Sequence, residues 1–250
     1  MAVLAGILWN YLKTVLVNKQ LANHINGLLL VDKEQDWTSH DVVNFVRRRF
    51  NLSKCGHCGT LDPFATGLLV LLLGKATKLQ DQLLGQDKIY AGTIHFGVET
   101  DSEDRTGKIT AEADIVSITE ATVAAASQTF LGPQMQTPPM VSALKVKGQP
   151  LYKLARQGKV IAREPRPISI HSFALTAFRL PEVDFVVHCS KGTYIRTLAA
   201  DLGRLLGCGA HLQELRRLAS GDFRVEDAHS MAELKSWELP ELQSNVLVTD

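Results

Sequence analysis

Residues 56–67 place one carboxylate in a loop of turn-forming residues, directly before an uninterrupted aliphatic run. The loop reads Gly-His-Cys-Gly-Thr-Leu-Asp-Pro-Phe-Ala-Thr-Gly, and residues 68–73 are all Leu or Val. Glycine reaches backbone conformations closed to other residues, and Pro63 restricts the chain directly after Asp62. The pattern predicts a buried strand preceded by a rigid loop that presents Asp62, which is typical of catalytic loops. The alternative from these residues alone is a structural turn whose aspartate caps a backbone amide.

Charge is balanced over the whole chain but segregated along it. The 250 residues carry a formal net charge of +1, and 45% are hydrophobic, which suffices for one large core or two unequal domains. Basic residues gather at 47–49 and between 145 and 166, whereas acidic residues gather at 99–114 and 226–250. A near-neutral protein with a basic face can bind nucleic acid, although each cluster alone is equally typical of a solvated surface.

Targeting signals and cysteine spacing indicate where the protein is located and which roles its cysteines have. There is no apolar run long enough to span a membrane, and the apolar residues 1–9 lack the basic leader of a secretory signal, so we expect a cytoplasmic protein. Residues 1–26 are expected to be an N-terminal extension, helical or disordered. Cys55 and Cys58 have the C-x-x-C spacing of a thiol oxidoreductase or of half a zinc site. Cys189 and Cys208 form no second close pair, so passive reduced thiols fit better.

Hydrophobic periodicity predicts both strands and helices. Strands are expected at 27–31, 68–73, 88–97, 168–179, 184–189 and 211–218, and helices at 41–50, 76–84, 120–130 and 193–206. Ser39 and Thr119 are the predicted N-caps of the first and third helices. Residues 133–166 are basic and rich in Gly and Pro, with one helix near 151–157, and are predicted to be a functional insertion. Residues 226–250 are expected to hold one short helix and a tail. The lack of strict alternation favours an α+β fold.

Several separated segments resemble the TruB family of tRNA pseudouridine synthases, which convert the T-loop uridine at tRNA position 55 to pseudouridine. Residues 56–67 are similar to its catalytic motif, 88–90 to its tyrosine strand, 97–107 to its acidic loop, 136–156 to its RNA-inserting thumb, 189–198 to its arginine motif and 209–217 to its closing motif. The resemblance covers about residues 27–225, and so many motifs in the same order make it specific.

The resemblance implies a pseudouridine synthase fold, with a mixed and largely antiparallel sheet flanked by helices. The catalytic domain would span residues 27–225 and carry the thumb at 133–166. Asp62 would be the catalytic aspartate, Arg196 would pair with it and keep it ionised, and Tyr90 would stack on the target uracil. The other implied substrate-binding residues are His57, Tyr194, Leu215, Lys33, Lys145 and Arg156.

The implied reaction exchanges one glycosidic bond for another, so we expect no metal, cofactor or group donor. The expected partner is the tRNA T-arm, whose target base must flip out of its stack. No membrane or protein partner is evident, and a monomer is expected.

The chain departs from the family at two places. Glu34 and Asp36 follow Lys33 where the family usually has Pro and Gly, and residues 226–250 are too few and too acidic for the RNA-binding PUA domain of many relatives. We therefore expect a short C-terminal tail without a PUA domain, and a grip on tRNA that comes mainly from the thumb. An RNA-folding helper without turnover and a thiol oxidoreductase stay open as alternatives.

Overall fold

The computed structural model describes residues 25–142, 144–146, 149–151, 154 and 161–248. The strands, numbered along the chain, are β1 (Gly27–Lys33), β2 (Cys55–Cys58), β3 (Thr66–Leu73), β4 (Lys88–Phe96), β5 (Val98–Thr100), β6 (Ile109–Glu112), β7 (Gly132–Gln136), β8 (Lys145–Val146), β9 (Gln149–Pro150), β10 (Arg166–Arg179), β11 (Glu182–Cys189), β12 (Ala210–Ser220), β13 (Phe223–Arg224) and β14 (His229–Ser230). The α-helices are α1 (Ser39–Arg49), α2 (Gln80–Leu84), α3 (Glu120–Gln128), α4 (Ile195–Leu205), α5 (Met231–Ser236) and α6 (Leu239–Asn245). Nearly all of the predicted N-terminal extension and most of the predicted thumb helix lie outside the described residues.

The chain divides into two compact units. The first contains the residues up to Gln86 and those from Leu218 onward, and the second contains Asp87–Arg217. In the first unit, β3 pairs antiparallel with β1 and β2, and β1 pairs parallel with β14. In the second unit, β11 pairs antiparallel with β4 and β10, and β10 pairs antiparallel with β7. Helices flank the strands. The predicted α+β class, with a mixed and largely antiparallel sheet, is confirmed.

In the first unit, β3 pairs with both β1 and β2. Leu30 lies opposite Val70 in the β1–β3 ladder, and Cys55 lies opposite Leu73 in the β2–β3 ladder. Alternate residues of β1 and β3 enter two different core clusters, one of which contains Leu29 and the other Leu30. Both faces of these strands are therefore buried, which explains why their sequences are continuously aliphatic rather than alternating.

The C-terminal residues contribute to the core of the first unit. Where the sequence predicts one short helix and a tail, the structure has α5 and α6. Met231, Leu234 and Leu242 are fully buried in the same cluster as Leu29. Leu247 exchanges two backbone hydrogen bonds of 2.9 Å with Leu28. Burial of these side chains ties the segment to the central strands.

In the second unit, the strands follow the order β12, β4, β11, β10 and β7. Tyr90 of β4 lies opposite Val187 of β11, and Ile168 of β10 lies opposite Gln134 of β7. Helix α3 packs against β10 and α4. The segment predicted to be irregular from residue 133 therefore begins inside the sheet, because β7 supplies hydrogen-bond partners to the start of β10.

Other local expectations need correction. The N-cap of α1 is Thr38, whose hydroxyl accepts from the Asp41 amide, and not Ser39. The predicted helix at 76–84 is split into a 3-10 helix, Gly74–Leu79, and the short α2. The strand expected at 211–218, the last one predicted, corresponds to β12, and two short strands, β13 and β14, follow it. None of the helices formed by the described residues has the length and apolar character needed to cross a membrane.

Candidate active site

Asp62 occupies a tight turn in the first unit. The Ala65 amide donates to the Asp62 carbonyl at 3.1 Å, and Pro63 supplies the residue that follows Asp62 in this turn. Leu61 and Phe64 are buried on either side, whereas Asp62 itself is half-buried. Proline at this position already has the backbone φ angle that the turn requires there. The apolar neighbours hold the loop to the core, so the carboxylate is presented from a fixed backbone.

Ser39 fixes the start of this turn. Its hydroxyl accepts from the Leu61 amide at 2.9 Å and donates to the Leu61 carbonyl at 3.2 Å. The side chain is buried at the first position of α1, so the helix carries the hydroxyl to the loop. Ser39 therefore positions the loop rather than capping the helix, a function that the helix-start pattern did not indicate.

Lys33 fixes the other side of the turn. Its ammonium donates to the carbonyls of Glu34 at 2.9 Å, Trp37 at 2.7 Å and Pro63 at 3.3 Å. The residue has no exposed surface, so these carbonyls replace the water that would otherwise solvate the charge. The Pro63 carbonyl belongs to the residue after Asp62. Lys33 thus lies in the support of the predicted catalytic loop, while its contact with substrate stays a prediction.

The C-x-x-C segment forms strand β2, and this weakens both alternatives proposed for it. Side chains three residues apart in a strand point to opposite faces, so Cys55 and Cys58 do not converge on one ion or disulfide. Burial raises the pKa of the Cys55 thiol to about 12, which keeps it in the unreactive protonated form. His57 lies on the same strand, and its carbonyl accepts from the Gln80 side chain at 3.3 Å.

Arg196 is a buried cation of the second unit. Its Nη1 donates to the Ser102 carbonyl at 3.0 Å and contacts Asp104 Oδ2 at 3.3 Å, and its Nη2 donates to the Val141 carbonyl at 2.7 Å. Only 4% of its side chain is exposed. Arg196 therefore joins the acidic loop to the first part of the predicted thumb. Its expected pairing with Asp62 stays a prediction, because the two residues belong to different units.

Asp104 organises the acidic loop. Its Oδ1 accepts from the Ser102 hydroxyl at 2.8 Å and from the Thr106 amide at 2.9 Å, while Oδ2 pairs with Arg196. A carboxylate that is only 3% exposed needs such compensation. Next to it, burial raises the pKa of the Glu103 carboxyl, although a hydrogen bond from Thr197 lowers it. The loop is thus a hydrogen-bonded structure and not a solvated acidic patch.

The predicted base-contacting residues of the second unit lie on regular elements. Tyr90 is 8% exposed on β4, and Leu215 is 9% exposed on β12. Tyr194 precedes α4, where its amide donates to Gln136 Oε1 at 2.8 Å and its carbonyl accepts from Gln136 Nε2 at 3.0 Å. This double contact joins the end of β7 to the start of α4. Gln136 therefore fixes the backbone that carries Tyr194.

The structure groups the predicted site residues by unit. Lys33, His57 and Asp62 lie in the first unit, and Lys33 reaches the Asp62 turn through the Pro63 carbonyl. The second unit holds Tyr90, Tyr194, Arg196 and Leu215. Lys145 lies in the short strand β8, and Arg156 lies outside the described residues.

Asp104, Gln136 and Ser39 were not predicted as site residues. Asp104 and Gln136 lie in the family-like segments 97–107 and 136–156, but neither residue was assigned a role there. Ser39 was expected only as a helix cap, because its partner Leu61 is distant in sequence.

Comparison with known sequences decides the family. A model of the N-terminal domain of TruB family pseudouridylate synthases matches residues 47–195, which is more than half of the chain. The chain belongs to the TruB family of pseudouridylate synthases. A model of the tRNA pseudouridylate synthase B C-terminal domain matches residues 196–246. The enzyme class is therefore that of an isomerase.

Individual relatives agree with this TruB assignment. A protein of Opitutus terrae named tRNA pseudouridine synthase B is 50% identical over 91% of this chain and 95% of its own length. A protein of the same name from Syntrophotalea carbinolica is also 50% identical, over 82% of this chain and 67% of its own length.

Solved structures share the fold of this TruB chain. One is the crystal structure of a Cbf5-Nop10-Gar1 complex, with a TM-score of 0.66 and 29% identity over 86% of this chain and 54% of that chain. Another is the archaeal box H/ACA sRNP Nop10-Cbf5 complex, with a TM-score of 0.64 and 27% identity over 88% of this chain and 57% of that chain. The pseudouridine synthase fold predicted from the sequence is confirmed.

Proposed function

We propose that this protein isomerises the T-loop uridine at position 55 of tRNA to pseudouridine, with Asp62 as the catalytic carboxylate and without a cofactor. The observation that carries the proposal is the 50% identity, over nearly the full length of both chains, to a relative named tRNA pseudouridine synthase B. The rigid turn around Asp62 supports it, because catalysis requires a carboxylate held in a defined position.

The reaction needs only a nucleophile or general base and a way to hold the uracil ring. The bond from C1′ to N1 of uracil breaks, the ring turns, and a bond forms from C1′ to C5. The proton leaves C5 and N1 ends protonated, so product and substrate have the same atoms and oxidation state. A carboxylate can act at C1′, C2′ or C6, and each of these routes is compatible with Asp62.

The other residues hold the substrate and the charge. The guanidinium of Arg196 is the proposed cation for the catalytic carboxylate, because arginine is suited to pairing with a carboxylate. Tyr90 is the proposed stacking partner of the flipped uracil, and Tyr194 and Leu215 are the proposed pocket walls. Flipping the base costs a few kcal/mol, which stacking and hydrogen bonds to the base edge recover. His57 is proposed to support the RNA stack that the base leaves.

The direct test follows the proton lost from C5. A T-arm stem-loop RNA labelled with tritium at C5 of its uridines releases the label to water when C5 becomes bonded to C1′ and loses its hydrogen. We expect Asp62→Asn to lower the rate of release by at least about 10³-fold, because it removes the reacting carboxylate while keeping the side-chain shape. Affinity for the RNA should stay within about threefold, since the substitution removes no cationic phosphate contact.

The matched control is Asp81→Asn, an exposed aspartate on α2 of the same unit, which should release tritium at the unmodified rate. A rate for Asp62→Asn within about tenfold of the unmodified protein would contradict the assignment of Asp62. Refolding of misfolded tRNA by the inactive Asp62→Asn protein would identify a separate RNA-folding activity.

A further inference from the structure

Two histidines and one aspartate converge on the exposed face of the second unit, on residues that the proposed isomerisation does not use. They are Asp87, directly before β4, His171 on β10 and His188 on β11. One potential ligand atom from each lies within 4.8 Å of the other two. We propose that this cluster binds a divalent transition-metal ion of the class that prefers imidazole, such as Zn²⁺.

The sheet register explains why Asp87 and His188 meet. His188 lies opposite Ile89 in the β4–β11 ladder. Asp87 is two residues before Ile89, and residues two apart in a strand point to the same face. Asp87 and His188 are therefore diagonal neighbours on the face opposite the buried Lys88 and Cys189. Their separation is short enough for the two side chains to bind the same metal ion.

A β-bulge brings in the third residue. Ile170 lies opposite Cys189 and Ser172 lies opposite His188, which leaves His171 as an extra residue on β10. Regular alternation would place His171 on the face opposite Ser172 and His188. In the bulge, His171 is instead exposed together with Ser172, and its ring centroid is 4.7 Å from that of His188. Bulges commonly redirect a side chain in this way.

The distances between the potential ligand atoms are close to those between neighbouring ligand atoms of one metal ion. His171 Nε2 lies 3.1 Å from Asp87 Oδ2, and His188 Nε2 lies 3.9 Å from the same oxygen. Bonds of 2.0–2.1 Å to a tetrahedral zinc ion place two ligand atoms about 3.4 Å apart, between these two values. At 3.9 Å, His188 is beyond hydrogen-bond range of this oxygen. A His171–Asp87 ion pair therefore does not include His188, whereas a shared metal ion would use all three side chains.

The donor set selects the metal class. Two imidazole nitrogens and one carboxylate oxygen suit Zn²⁺, Co²⁺, Ni²⁺ and Cu²⁺, whereas Mg²⁺ and Ca²⁺ prefer an all-oxygen shell. The side chains of Asp87, His171 and His188 are 46%, 38% and 40% exposed, so an ion can enter from solvent. Three protein ligands leave at least one position for water.

Calorimetry on the chelator-treated full chain tests the site with Zn²⁺, and absorption with Co²⁺ identifies the ligands. We expect one Zn²⁺ site that excludes Mg²⁺, and a Co²⁺ spectrum without thiolate charge-transfer bands. Zn²⁺ should bind more than 10-fold more weakly to His171→Gln and to His188→Gln, because a loss of about 10-fold or more follows even when only a supporting group is removed. The matched control is His229→Gln, because His229 lies outside the cluster, against the Glu233 carboxylate at 3.9 Å and the Trp237 ring. The Zn²⁺ affinity of this variant should be unchanged.

The results distinguish metal binding at this cluster from metal binding at other residues of the chain. Absence of Zn²⁺ binding, or equal affinity in His171→Gln and the unmodified protein, would overturn the proposal. So would binding that persists in both histidine variants but disappears in Cys55→Ser/Cys58→Ser. The three histidine variants should retain their rate of tritium release, because none of these histidines is a proposed catalytic or substrate-binding residue.

Discussion

Replacing Lys33 with methionine removes an ammonium group that is fully buried and hydrogen-bonded to three backbone carbonyls. Hydrogen bonds that involve a charged group contribute about 1.5–3 kcal/mol each, and the bond to Pro63, at 3.3 Å, is the weakest of the three. Methionine, in turn, avoids the cost of burying a charge, which amounts to several kcal/mol. We therefore expect Lys33→Met to lower the free energy of unfolding by about 2–4 kcal/mol.

Activity should fall through the position of Asp62. Without Lys33, the Pro63 carbonyl loses a donor and the turn that carries the carboxylate loses one of its attachments. A displacement of about 1 Å at a reacting group costs about 10²-fold in rate. We expect kcat for tritium release to fall by about that factor, while KM for the stem-loop RNA stays within about twofold.

Urea unfolding and steady-state kinetics at several salt concentrations distinguish this role from a phosphate contact. If Lys33 contacts an RNA phosphate, its removal should raise KM and reduce the slope of log affinity against log salt by about 1. That result, with unchanged stability, would refute the positioning role. Lys54→Met, which removes an exposed lysine of the same unit, should change stability by no more than about 0.5 kcal/mol.

Two further predictions concern the buried groups of each unit. Asp104→Asn should lower stability by about 3–5 kcal/mol, because it breaks the buried ion pair between Asp104 and Arg196. A double-mutant cycle with Arg196→Met should give a coupling energy well above about 1 kcal/mol, and additivity would contradict the pairing. Leu234→Ala should cost about 2–5 kcal/mol in urea unfolding if α5 belongs to the core, whereas the exposed Lys235→Ala on the same helix should cost at most about 0.5 kcal/mol, and equal small effects would indicate a detachable tail.

Much of the fold was predictable because its signals are local. The aliphatic run at 68–73, the alternating residues of β4 and the Thr119 cap of α3 each depend on neighbours within a few residues. The family resemblance rested on the same local segments, and the sequence comparisons confirm it. The C-terminal helices were harder to predict, because α5 and α6 are short and gain their stability from contact with β1 and α1.

The residues that support the Asp62 turn could not be identified from local sequence. Lys33, whose expected contact with substrate stays a prediction, donates to three backbone carbonyls inside the first unit. Ser39 has the composition of a helix cap but bonds to Leu61, which is 22 residues away. A side chain that can satisfy a local backbone group can equally satisfy a distant one, and only the packing of the chain chooses between them.

The amino-acid sequence by itself determined the α+β class, the turn at Asp62 and the family, because each depends on the order of residues along a short stretch of chain. Tertiary structure decided which buried polar groups pair, as with Arg196 and Asp104, and which exposed groups converge, as with Asp87, His171 and His188. The physical reason is that desolvated charges and shared ligand positions are set by strand register and bulges. These bring together residues that no periodicity in the sequence connects.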